Sequence, residues 1–86
     1  MKQLNSQMLQ NKLRNKFLKS GVKMSGPETI YFSNDTKIGK NVIIEPYVVF
    51  GSKVKIGNNV TIKSFSHLEN CRIENKVDIG PYARIR

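Results

Sequence analysis

Residues 32–85 read FSNDTKIGKNVIIEPYVVFGSKVKIGNNVTIKSFSHLENCRIENKVDIGPYARI, and one spacing runs through them. Large apolar residues recur every six positions at Phe32, Ile38, Ile44, Phe50, Ile56, Ile62 and Leu68. A single step of five leads to Ile73, after which Ile79 and Ile85 resume the six. Two residues ahead of each stands Ile30, Thr36, Val42, Val48, Val54, Val60, Ser66, Cys71, Val77 or Ala83, β-branched or small almost throughout. A fixed internal period of this kind marks a repeat architecture. Six fits neither the 3.6-residue period of a helix nor the alternation of a long strand. Two inward side chains two residues apart make a very short strand, and the residues between must turn. Three hexads close a triangular coil of about 18 residues, and stacked coils form a parallel β-helix. The short step from Leu68 to Ile73 is expected to tighten one corner without loss of register, because both rows resume after it.

The corners carry their own signals. Gly39, Gly51, Gly57 and Gly80 each follow a large inward residue, where their tolerance of turn dihedrals is expected to matter. Asn41 and Asn59 suit the left-handed region, and Pro46 and Pro81 bring a fixed φ to their corners. Tyr47 and Tyr82 follow those prolines and read as corner covers.

Working outward, residues 22–29 form a connector in which Ser25-Gly26-Pro27 is turn chemistry. Residues 1–21 predict a basic linker helix: Lys2, Lys12, Arg14, Lys16 and Lys19 face no acid, and Gly21 suits the C′ position. Its apolar residues, Leu4, Met8, Leu9, Leu13, Phe17 and Leu18, include i,i+4 steps but fall into two groups around the helix. A helix of this kind needs something to pack against, either its own protein or a membrane surface or partner.

The chain has 86 residues, with 15 Lys and Arg against 6 Asp and Glu, for a formal net charge of +9. One Cys and one His exclude a disulfide framework and a Cys/His zinc cluster built from this chain alone. No apolar run is long enough to span a membrane, and no signal-peptide pattern opens the sequence, so a cytoplasmic location is expected. Lysine outnumbers arginine 11 to 4, a skew that AT-rich coding produces whatever the function. Read along the chain the charge divides into +5 on the helix and +4 beyond it, with no basic cluster tied to base-reading groups. Neither nucleic acid nor membrane is therefore an expected partner. His67 alternates with inward Ser66 and Leu68 and so points outward, and Cys71 sits in the inward row as a packed thiol.

The repeats Ile38-Gly-Lys-Asn-Val42, Ile56-Gly-Asn-Asn-Val60 and Ile79-Gly-Pro-Tyr-Ala83 resemble those of the hexapeptide-repeat acyltransferases, whose fold is a left-handed β-helix. Handedness comes from the resemblance alone, since general crossover chirality favours the right-handed form. The order of Phe17-Leu-Lys-Ser-Gly21, Asn41-Val-Ile-Ile-Glu45 and the closing Ile79-Gly-Pro-Tyr-Ala-Arg-Ile-Arg86 narrows the likeness. It is similar to the linker helix and first coils of the acetyltransferase half of bifunctional N-acetylglucosamine-1-phosphate uridyltransferases/glucosamine-1-phosphate N-acetyltransferases, which make UDP-N-acetylglucosamine. The resemblance implies that Arg86 contacts the sugar phosphate, with Arg84 a nearby competitor, and assigns no catalytic residue or metal ligand to this chain. The family's catalytic His and acetyl-coenzyme A contacts lie in later coils, and its uridyltransferase half lies ahead of the helix. No cofactor is thus expected on these 86 residues alone. The resemblance further implies a homotrimer, or a second chain that completes the β-helix.

Three functional readings follow. The chain is a truncated or split-gene piece of such an acetyltransferase, inactive alone; or a non-catalytic trimeric β-helix scaffold; or a basic binder of nucleic acid or membrane through residues 1–20.

Overall fold

A computed structural model describes residues 2–86, with side chains from residue 7 onward. Met1, and the side-chain placement of Lys2 and Leu4 expected for the helix, lie outside the described residues. Helix α1 spans Lys2–Lys19, and ten short strands follow. They are β1 (Lys23–Met24), β2 (Lys37–Ile38), β3 (Ile43–Ile44), β4 (Val49–Phe50), β5 (Val54–Ile56), β6 (Thr61–Ile62), β7 (His67–Leu68), β8 (Cys71–Ile73), β9 (Asp78–Ile79) and β10 (Arg84–Ile85). All pair in parallel, in three sheets: β1-β3-β6-β9, β2-β5-β8 and β4-β7-β10. These are the three faces of a triangular β-helix, and Tyr31 adds a bridge to Val49 on the third face. The β1 and β4 faces thus hold four rungs and the β2 face three. The segment read as a connector, 22–29, holds β1 and a 3-10 turn at Pro27–Thr29.

Register explains the core. Ile38 pairs with Ile56 and Ile56 with Ile73; Ile44 pairs with Ile62 and Ile62 with Ile79. Each inward residue therefore rests on its counterpart one coil on, in columns that are buried from Ile30 to Leu68 except at Ile38. Across the short step the offset falls from 18 to 17 residues, yet Val54 still meets Cys71 and Ile56 still meets Ile73. Burial eases toward the ends of the columns, at Ile38 near the helix and at Cys71, Val77, Ala83 and Ile85 in the last coil, all half-buried.

Corner geometry bears out the left-handed expectation for Asn41 and Asn59 and departs from the one for the glycines. The left-handed positions are Asn41, Tyr47, Lys53, Asn59, Phe65, Asn70, Lys76 and Tyr82, each with φ between 49° and 63°. They repeat with the hexad and include the same step of five. Of the four corner glycines only Gly80 has positive φ, at 87°. Gly39 and Gly57 are required by proximity instead. A Cβ on Gly39 would lie 2.7 Å from the Gly57 carbonyl oxygen and clash with the Asn58 amide, and one on Gly57 would meet Asn75. Those asparagines bond across the coils: the Lys40 amide donates to Asn58 Oδ1 at 2.8 Å, and the Asn58 amide donates to Asn75 Oδ1 at 2.7 Å. Glycine leaves room for the asparagine that secures the corner.

Helix α1 closes one end of the coils. The Val22 and Gly21 amides donate back to the Phe17 and Leu18 carbonyls, a Schellman ending with Gly21 at φ 101°. The buried stripe of the helix is Gln10, Leu13, Arg14 and Phe17, a spacing of 3, 1 and 3 that gives one face. Two of its four members are polar, which is why the apolar residues alone show two groups. Met8, Leu9 and Leu18 are exposed. Phe17 packs on Phe32 at 4.7 Å between ring centroids, and Phe32 stacks on Phe50 at 5.1 Å. Gln10 pairs with the backbone of Phe32 as a neighbouring strand would, donating from Nε2 to its carbonyl at 2.7 Å and accepting its amide at 2.8 Å. Arg14 donates to the carbonyls of Ile30 at 3.0 Å and Glu28 at 3.3 Å and lies over the Tyr31 ring.

Two stability tests follow. Gly39→Ala is expected to destabilise by about 1–3 kcal/mol, the usual penalty of forced overpacking, whereas Asn41→Gly leaves stability nearly unchanged; chemical denaturation compares them. Arg14→Lys is expected to lose about 2 kcal/mol, because an ammonium cannot serve both carbonyls as the guanidinium fork does. The same denaturation midpoints read it out.

Candidate functional site

The two arginines singled out in the sequence stand on the last rung of the β4-β7-β10 face. Arg84 lies within β10, the half-buried Ile85 follows, and Arg86 comes next. Alternation points both side chains outward from backbone positions about 6.6 Å apart along the strand, and both residues are exposed. Arg84 is paired in register with His67, which places Glu69 opposite Arg86. Four titratable side chains therefore share one patch: two arginines on the last rung, and His67 with Glu69 on the rung above.

His67 Nε2 lies 3.7 Å from Glu69 Oε1, and their side chains are 46% and 48% exposed. The outward orientation expected for His67 is the one found. Both groups stand on the outward row, open to solvent on one side. Gly51 leaves room for Glu69, whose Cβ and Cγ lie where a Cβ on Gly51 would crowd them. The chemistry this patch offers is electrostatic: guanidinium forks suit the paired oxygens of a phosphate.

Cys71 fills its place in the inward row and packs against the core. Burial pushes its thiol up from the ordinary value, opposed in smaller part by a backbone hydrogen bond at Glu69. A raised thiol is a poor nucleophile. Among the described residues no group of three or more His, Cys, Asp and Glu side chains gathers to hold a metal ion. No helix of the structure is long and apolar enough to cross a membrane.

The edge between the β3 and β4 faces carries a feature that the sequence showed only in part. Tyr47, Phe65 and Tyr82 stack there with centroids 5.3 and 5.2 Å apart and ring planes within 5°. They are 56%, 53% and 74% exposed, and Ile43 and Val49 beside them are also exposed. The tyrosines were visible after their prolines. Phe65 was not, because Ser64 stands where the other corners have Pro. The six-residue spacing from Asn59 was the signal that would have placed it. Each ring sits on a left-handed backbone that costs a bulky residue on the order of 1–2 kcal/mol, and stacking returns about 0.5–1.5 kcal/mol per pair.

Comparison with known proteins agrees with this architecture. Residues 35–70 and 53–86 match the family described as bacterial transferase hexapeptide (six repeats). Over 77 residues, 90% of this chain, the sequence is 53% identical to the bifunctional protein GlmU of Zymomonas mobilis, of which it covers 17%. Identity to the bifunctional protein GlmU of Xanthobacter autotrophicus is 49% over 92% of the chain and 18% of that protein. For that of Wolbachia pipientis it is 48% over 90% of the chain and 18% of the relative. The chain thus spans less than a fifth of the length of these relatives.

Proposed function

The chain belongs to the bacterial transferase hexapeptide family, and on that premise we propose that it forms the opening coils of a glucosamine-1-phosphate N-acetyltransferase β-helix, inactive until further coils complete it. The observation that carries this reading is the near-complete match of helix and coils, 53% identical over 90% of the chain, to a bifunctional GlmU. In this reading Arg86 receives the sugar phosphate through its guanidinium fork, and Arg84 beside it adds positive charge. Acetyl transfer also needs a base to take a proton from the sugar amine as the amine attacks the thioester of acetyl-coenzyme A. The one histidine of this chain is exposed and paired with Glu69, so the base comes from later coils, on this chain or on a second one. The recesses beside Lys12, Arg14, Lys16 and Lys55 are shallow, and neither Arg84 nor Arg86 lines them. The acetyl donor is assigned to the later coils as well, as the family resemblance implies.

The aromatic edge supports the homotrimer that the family resemblance implies. Exposed Tyr47, Phe65 and Tyr82, flanked by Ile43 and Val49, form the kind of continuous apolar strip that marks an interaction surface. Three copies meeting along this strip would bury it. A trimeric scaffold would use the same strip, and phosphate binding separates the two readings.

The purified 86-residue chain is expected to show no transfer from acetyl-coenzyme A to glucosamine-1-phosphate; turnover by it alone would overturn the proposal. When a chain carrying the later coils is added, activity should appear, and Arg86→Gln should then weaken glucosamine-1-phosphate binding by about 10- to 100-fold, the worth of charge-assisted hydrogen bonds. Phe65→Asn keeps a residue that favours the left-handed corner while removing the central ring. Sedimentation velocity should show its trimer shifted toward monomer with the β-sheet circular dichroism retained.

A further inference from the structure

Coil geometry gathers charge that the linear sequence keeps apart. On the β2-β5-β8 face the outward residue of each rung is cationic: Lys37 pairs in register with Lys55, 18 residues on, and Lys55 with Arg72, 17 further. Neighbouring strands are about 4.8 Å apart, so three like charges stand in one column. Like charges directly opposed across strands are destabilising, and no carboxylate lies within 4 Å of any of them; the one ion pair among the described residues is His67 with Glu69. Glu74 shares a recess with Lys55 and Arg72 without reaching them as an ion pair. The other faces show no such column. Outward there are Lys23, Ile43, Thr61 and Asp78 on one, and Val49, His67 and Arg84 on the other.

The column continues onto the helix. Lys16 and Lys37 line one recess of about 340 Å³, together with Phe17, Ser20 and Thr36. Lys12, Lys16 and Lys19 line the next, along the outer side of α1. Met8 lies on that same side, one turn before Lys12, and is 69% exposed; Leu9 beside it is also exposed. Six cations and two uncovered apolar side chains thus form one continuous surface.

We propose that this surface, Lys37, Lys55 and Arg72 with Lys12, Lys16 and Lys19, docks the protein on an anionic lipid bilayer. Three features favour that occupant over nucleic acid. Lys37, Lys55 and Arg72 stand on a sheet face and Lys12, Lys16 and Lys19 along the helix beside it, a broad cationic surface rather than one narrow groove that would track a phosphate backbone. Five of the six are lysines, whose long stems lie along apolar surface while the ammonium stays at the headgroups, and Met8 and Leu9 have the apolar character that enters the headgroup boundary. The exposed rings that could stack on bases, Tyr47, Phe65 and Tyr82, stand on the opposite edge of the prism. The surface is independent of the arginine patch and of the acetyltransferase reading.

The test is co-sedimentation of the full chain with vesicles of phosphatidylglycerol and phosphatidylcholine, against vesicles of phosphatidylcholine alone, over a range of salt. Binding is expected only to the anionic vesicles, falling as salt rises. Lys55→Gln/Arg72→Gln should lower the partition coefficient by about 25-fold, near fivefold for each lost charge. Lys23→Gln/Lys63→Gln removes the same net charge elsewhere and should lower it several-fold less. No binding at low salt, or an equal loss in the two double variants, would overturn the proposal. So would tighter binding of a single-stranded oligonucleotide, blocked by Lys55→Gln/Arg72→Gln, than of the anionic vesicles.

Discussion

Every inward side chain in this protein must land on its counterpart one coil later. That constraint dictates most of what else is seen. Because the strands are two or three residues long, none has enough hydrogen bonds to be stable alone. Stability comes from columns such as Ile44–Ile62–Ile79, in which the apolar contact and the backbone ladder are set by one register. A coil can lose a residue only at a corner, and only if both inward rows return to place. The 17-residue coil meets that condition at Glu69 and Asn70, where the chain turns left-handed at Asn70 one residue sooner than its hexad predicts. The outward rows are under no such demand. They are free to vary, and the functional features are found there.

A stack of coils has ends, and an uncovered strand edge invites pairing with another chain. The helix closes the edge above Phe32 with polar atoms rather than with more apolar surface. Gln10 and Arg14 lie one turn apart on the side that meets the coil, and they bond the backbone of Phe32, Ile30 and Glu28. Between and beside them Leu13 and Phe17 continue the inward column, with the Phe17 ring resting on Phe32. A purely apolar helix would have buried those carbonyls without partners, at a cost comparable to the packing it gained. The polar half of the stripe is therefore part of the cap, which is why the helix has so weak an apolar pattern.

How much of this is legible in the sequence depends on which distance a feature spans. The hexad is a local pattern, so the inward rows, the shortened corner, the outward His67 and the packed Cys71 could all be read from it. The reason for the glycines could not. Gly39 looks like a turn residue until Asn58, from the next coil, is seen to occupy the space above it. Residue type pointed to Asn41 and Asn59 as left-handed, and the backbone agrees; it gave no sign that Tyr47, Lys53, Phe65, Asn70, Lys76 and Tyr82 share that conformation by their place in the hexad. The stacked rings and the cationic column were hidden for the same reason: their members lie 17 or 18 residues apart and meet only once the coil pitch is known. Of the candidate site, Arg84 and Arg86 were visible as a motif, and their pairing with His67 and Glu69 was not.

Coil pitch thus converts a period in sequence into a column in space, and the chemistry of a column is the chemistry of its repeated position. A repeated Ile gives core, a repeated aromatic at one corner gives an apolar edge, and a repeated cation on one face gives a charged strip. The apolar edge and the cationic face lie on opposite sides of a triangular prism, since the corner between two faces is opposite the third. If copies associate through the edge, their cationic faces must point away from one another and away from the shared axis. Self-association and contact with an anionic surface then do not compete for the same residues. The price of this separation is the unpaired Lys37–Lys55–Arg72 column, which burdens the isolated coil and is relieved only when negative charge covers it.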